Sequence, residues 1–294
     1  MIVPVVVLTA LAPLTASDNL ARPSVEQVIS RLERTEAAIQ NLSLTTEYVK
    51  LQKEFLPRQV ELHLTTAFIV DRGGRTRYEC VGEQVRIGPA PGEVGIYRGR
   101  WRSTFDGRVA TTLSGGVDGP LLTAELDRWP AWHGINPLEF TTHYFREPVS
   151  KFVGRQGARV VGVETWESRP ATVLERAPVT VDGKGWKYRF WVDLERGIVV
   201  RRAGLIRYPD QDWREYTRIE SRGHEEVRPG IWLPTHVKYE SLHTTKAGGP
   251  EQISWSYEGR NLGWEVNRDL PEGTFRLNVP AAATVNDHRR PDEK

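Results

Sequence analysis

The side chains that could do chemistry in this sequence are scattered along it. The seven histidines are His63, His133, His143, His224, His236, His243 and His288. None forms an H-E-x-x-H or similar ligand pair, and His236 and His243 stand seven apart in or beside one strand. A shared metal would therefore need convergence from distant elements. There is no G-x-S-x-G elbow and no P-loop. Asp106-Gly107 is explained as a tight hairpin turn before it is read as a catalytic carboxylate. Asp210 with Asp212, and Glu225 with Glu226, fall in apparent loops, whereas a glycosidase needs two carboxyl groups held across a cleft. Cys80 is the only cysteine, so no intrachain disulfide forms. Its neighbourhood, Arg77-Tyr78-Glu79-Cys80-Val81, reads as a strand interior and the thiol as a buried structural one. The expectation is no catalysis, no metal and no cofactor. A carboxyl pair, or a carboxyl and a histidine, converging in a cleft would revive a hydrolase.

The unusual count is aromatic. Ten tryptophans stand at 101, 129, 132, 166, 186, 191, 213, 232, 255 and 264, beside eight Phe and nine Tyr. Several of them lining a concave sheet would suit an apolar or sugar ligand. The same rings would equally serve to pack covering elements onto the sheet.

The elements that must position these rings are mostly strands. One helix is signalled by Pro23-Ser24, with Ser24 as N-cap and Gln27 three residues on. Val25, Val28, Ile29, Leu32, Ile39 and Leu42 recur at helical spacing, giving an amphipathic helix through about residue 42 laid on a sheet. Period-two alternation dominates after it. Val60, Leu62, Leu64 and Phe68 share one face of a strand. Gly73-Gly74, Gly88 to Gly92 and Asp106-Gly107 mark turns. From about 119 to 150 the alternation lapses, with prolines at 120, 130, 137 and 148, and Leu121–Trp129 and Pro137–Phe145 read as short helices crossing the sheet. Alternation resumes with Trp186, Tyr188, Phe190, Val192 and Leu194 against Lys187, Arg189, Trp191, Asp193 and Glu195. Glu195-Arg196-Gly197 turns into Ile198–Tyr208, and strands at 213–220, 232–242 and 252–258 follow. The sum is ten or eleven strands in a long antiparallel meander, which should curl because twist accumulates along it. The tail from Ala281 is small and charged and is expected to fray, with residues 286–294 disordered.

Composition bounds the class. In 294 residues, 39% hydrophobic and 27% charged fractions are those of a globular chain. Forty basic against 38 acidic side chains, interleaved throughout, leave no footprint for nucleic acid. Residues 1–17 are uncharged and mostly apolar, too short and too broken by Pro4 and Pro13 for a membrane span. They read as a signal peptide, with Thr15-Ala16-Ser17 as a small-x-small cleavage site before Asp18, although no Lys or Arg precedes the apolar run. Export to the periplasm or cell envelope is expected, leaving residues 18–285 as one β domain with its insertion at 119–150.

Several segments give this pattern a familiar look. They are Ile39-Gln40-Asn41-Leu42-Ser43-Leu44-Thr45, where the helix enters a strand, and the hairpin from Phe190 to Arg201 with its W-V-D-x-x-x-G-x-x-x-R spacing. Gly230-Ile231-Trp232-Leu233-Pro234-Thr235 and Leu270-Pro271-Glu272-Gly273-Thr274-Phe275 complete them. Over residues 24–285 the chain resembles the LolA/LolB-like superfamily of bacterial envelope proteins, which includes lipoprotein carriers and the RseB-type sensor domain. The resemblance implies a half-open barrel whose concave apolar face is covered by helices and holds an acyl chain or a lipidated partner. The residues expected to line that face are Leu62, Leu64, Phe68, Trp101, Trp186, Phe190 and Trp255, with the first helix and the crossover as lids. This chain is longer than the carriers and richer in Trp at its centre. The competing expectation is an envelope interaction module whose core is filled by its own side chains.

Overall fold

The computed structural model describes residues 22–53, 56, 59–87, 93–127, 137–144, 147–154, 157–243 and 252–289. The expected signal segment and the Gly88–Gly92 turn lie outside them. Helix α1 (Val25–Ala38) begins as the capping signal requires: Ser24 Oγ accepts from the Gln27 N–H, and the Gln27 side chain accepts from the Ser24 N–H. Because both orphan donors depend on that pair, Ser24→Ala should cost about 1 kcal/mol in urea unfolding; an unchanged midpoint would show that the cap contributes nothing. The helix stops at Ala38. Leu42, expected on its apolar stripe, belongs instead to β1 (Asn41–Gln52).

From β1 the chain runs outward through β2 (Val60–Asp71), β3 (Thr76–Ile87), β4 (Val94–Phe105), β5 (Ala110–Gly116) and β6 (Thr123–Asp127), each antiparallel to the one before. Within the stretch expected to be a helix at 121–129, residues 123–127 form the strand β6, and 128 and 129 lie outside the described residues. Gly115 lies so close to Pro120 that a Cβ would meet the Pro120 carbonyl oxygen at 2.4 Å. This tight return offers residues 123–127 a ready ladder on β5, and a nine-residue helix without such partners is marginal. Where the second helix is expected, at 137–145, the described residues 137–144 form a single 3-10 turn, Pro137–Phe140, and the strand β7 (His143–Tyr144), which pairs with β8 (Glu147–Pro148). The covering helix comes later, as α2 (Val149–Gly154) just past Pro148.

The second arm runs inward through β9 (Arg159–Trp166), β10 (Arg169–Glu175), the short β11 (Val179–Val181), β12 (Lys184–Asp193), β13 (Ile198–Arg207), β14 (Arg214–Arg228), β15 (Ile231–His243) and β16 (Gln252–Val266). β16 closes against β1, and β17 (Thr284–Asp287) pairs parallel with β6. The result is one 15-stranded sheet, ordered β17-β6-β5-β4-β3-β2-β1-β16-β15-β14-β13-β12-β10-β9, with β11 attached to β12. It is a half-open curled meander with free edges, not a closed barrel. Two departures from the sequence reading stand out. The first and last long strands are neighbours at its centre, and residues 284–287 of the expected tail form an edge strand.

Candidate functional site

The sheet's two faces are distinguished by register. Antiparallel partners point the same way, so one line of side chains runs Phe190–Arg202–Ile219–Tyr239–Tyr257–Lys50–Leu62 across seven consecutive strands. Leu64 and Phe68 follow Leu62 on β2 at even spacing. Trp255 precedes Tyr257 by two and Trp186 precedes Phe190 by four. Trp101 pairs with Cys80, itself opposite Thr66 of β2. All seven residues expected to line the concave face thus project from one face, the one carrying α1, α2 and the 3-10 turn.

They do not occupy one kind of place on it. Leu62, Leu64, Phe68 and Trp101 are buried in a cluster with Tyr48, Tyr78, Val237 and Phe140. Phe190 is fully buried beneath both helices, among Val28, Leu32, Val149, Phe152 and Val153. Trp186 and Trp255 are only partly covered. Trp186 meets Tyr216 edge-on at 5.0 Å, and Trp255 stacks on Tyr239 at 4.6 Å and meets Tyr257 edge-on at 5.3 Å. One half-exposed part of this face is therefore an aromatic patch centred on β15 and β16. Gly259 makes room beside it: a Cβ there would lie 2.5 Å from the Tyr48 ring.

The covering elements are tied down by polar contacts. Glu36 of α1 accepts from the Ser150 N–H and hydroxyl of α2, and burial raises the pKa of that carboxyl. Arg31 donates to the carbonyls of Leu194 and Glu195. At the same place Gly197 takes φ +71°, and a Cβ would meet Thr35 Oγ1 at 2.4 Å, so the glycine of the W-V-D-x-x-x-G spacing is required by both turn and helix. The 3-10 turn sits on the face through Ser221 Oγ, which donates to the Phe140 carbonyl, and through Glu139, 3.9 Å from the buried Arg202. Burial, then Arg202, depresses the His143 pKa to about 4, which keeps that ring neutral.

The opposite face is not simply polar. On the second arm Ala171, Val173, Trp191, Ala203 and Leu205 form their own cluster. Arg201 lies over Trp191 at 4.3 Å and Arg196 over Trp232 at 4.4 Å, so guanidinium groups cover these rings. Farther along, a mixed groove of about 670 Å³ is lined by Val49, Leu51 and Val81 together with Glu47, His63, Arg98, His236, Glu258 and Arg260.

Sequence reasoning missed two residues of the apolar face, Lys50 and Arg202. The signal for Lys50 was present, because it continues the even-numbered series Leu42, Leu44, Tyr48 of β1. Among the described residues no group of three or more His, Cys, Asp or Glu side chains could hold a metal ion. No helix among them is long and apolar enough to cross a membrane.

No family model matches the chain, and no curated protein matches it. Among solved structures it is similar to the LolA superfamily protein NE2245 from Nitrosomonas europaea, at 11% identity over 87% of this chain and 98% of that one, with a TM-score of 0.49. It is also similar to a proposed outer membrane lipoprotein-sorting protein domain from Vibrio parahaemolyticus, at 11% identity over 85% and 97% of the two chains, with a TM-score of 0.47. A chain of the Pseudomonas aeruginosa MucA/MucB complex matches at 14% identity over 84% and 95%, with a TM-score of 0.27.

Proposed function

We propose that this chain is an exported, non-catalytic protein of the cell envelope, a carrier or sensor that holds an acyl chain or a lipidated partner on its helix-bearing face. The observation that supports this most is the aromatic patch of Tyr239, Trp255 and Tyr257, partly uncovered and continuous by register with the apolar floor of Leu62, Leu64, Phe68 and Trp101. Aliphatic hydrocarbon laid on such a surface gains about 0.8 kcal/mol per buried CH₂, against the cost of association. Trp186 marks the other partly uncovered stretch. Phe190 becomes accessible only when α1 and α2 lift, which gives the helices the part of a lid.

The burial of Leu62, Phe68 and Phe190 favours a second reading, an interaction module whose core is filled by its own side chains. One experiment separates the two. Delipidated full-length protein titrated with the neutral probe N-phenyl-1-naphthylamine should show saturable fluorescence enhancement, reversed by a long-chain amphiphile. Absence of saturable uptake would favour the filled core.

A further inference from the structure

The aromatic patch contains one charge that it does not neutralise. Lys50 projects from β1 between Leu62 and Tyr257, its partners on the two neighbouring strands. Its ammonium lies 5.3 Å from the centroid of the Tyr257 ring. Among the described residues no carboxylate pairs with it. The contrast with Arg202 on the same register line is direct, because that guanidinium has Glu139. A ring face offsets part of the cost of withdrawing an ammonium from water but leaves its charge in place. Burial lowers the Lys50 pKa. Tyr257 adds a phenolic hydroxyl that makes no hydrogen bond among the described residues, so a cation and an oxygen donor belong to the same half-covered apolar surface.

We propose that the occupant of this face is a single-headed anionic amphiphile, a long-chain carboxylate, whose head group is met by Lys50 beside Tyr257 while its chain lies on the aromatic and aliphatic side chains of β1, β2 and β16. This rests on the acyl-binding reading above and names the chemistry of its ligand. An ammonium in apolar surroundings favours a carboxylate over a neutral head of the same chain length, because only the anion replaces the hydration and counter-charge that burial removed.

The test is displacement of N-phenyl-1-naphthylamine from the full chain by dodecanoate, dodecanol and dodecyltrimethylammonium. Wild type should release the probe to dodecanoate at a concentration at least about tenfold lower than to dodecanol, with the cation weakest. Lys50→Met, which keeps the aliphatic stem, should bring the acid and the alcohol together, and Lys50→Arg should keep the gap. Lys50→Gln serves as the second neutral variant should the methionine disturb folding. Equal displacement by acid and alcohol in wild type, or a gap that survives both neutral substitutions, overturns the assignment of the head group and leaves acyl binding standing. Failure of the wild type to take up the probe at all overturns both.

Discussion

Phe190→Ala should lower the free energy of unfolding by about 3–5 kcal/mol, read as a drop in the urea midpoint at unchanged slope. The ring is 0% exposed and closes the space between the sheet and both helices. Phe152 of α2 meets it edge-on at 5.9 Å, and Val28 and Leu32 of α1 join the same cluster. Truncation leaves a cavity bounded by the sheet backbone on one side and by two helices held to each other through Glu36 and Ser150 on the other. Neither side collapses easily, which places the cost toward the upper end of the range. Phe190→Leu, keeping most of the volume, should cost less. A loss below about 1 kcal/mol for the alanine variant would show that α1 and α2 do not clamp this strand, and would weaken the argument that they form a lid.

The same residue shows how far the sequence could be read. Alternation within a strand is local, so the in-facing set of β2 was legible and its burial alternates from Val60 to Phe68. The Ser24–Gln27 cap and the Gly197 turn were legible for the same reason, each being complete within a few residues. The period sorts side chains by face within one strand, but does not say which face of that strand continues the face of the next. What it could not supply was the neighbour of each strand. That β16 lies against β1 is a pairing across more than 200 residues, and nothing in either segment specifies it. The strand at 123–127 depends likewise on β5, so its sequence in isolation reads as helical. On β12 the alternation misled in a second way. The period assigns Trp191 to the polar side, yet it is buried in a separate apolar cluster sealed by arginine stacking. Alternation separates two faces but does not say that one is wet.

The largest electrostatic effect should come from Glu175, at the end of β10. Its carboxylate is 2% exposed and is met by Lys187 at 3.0 Å, Arg189 at 2.7 Å and Arg159 at 2.6 Å. Burial alone would raise its pKa, but the hydrogen bonds from Arg159, Arg189 and Lys187, with the Lys187 charge, outweigh burial and bring it down to about 2. A carboxyl whose folded pKa lies below its ordinary value of 4.5 contributes stability that is complete above 4.5 and is lost as pH falls toward 2. The amount at stake is about 3 kcal/mol. Glu175→Gln should therefore act at neutral pH, where it leaves Lys187, 8% exposed, and the neighbouring Arg189 without their counter-charge. A loss of about 3–5 kcal/mol is expected, because an uncompensated buried cation costs more than the pair was worth. Arg159 contributes little to this, since its side chain is 72% exposed. Other carboxylates with lowered pKa values, Asp193 and Glu79 among them, also make the wild type less stable in acid. Only the difference between wild type and variant isolates Glu175, and that difference should be full at pH 7 and shrink steadily between pH 4.5 and 3. A gap that stays constant over that window would mean that the variant suffers from lost packing and not from lost charge.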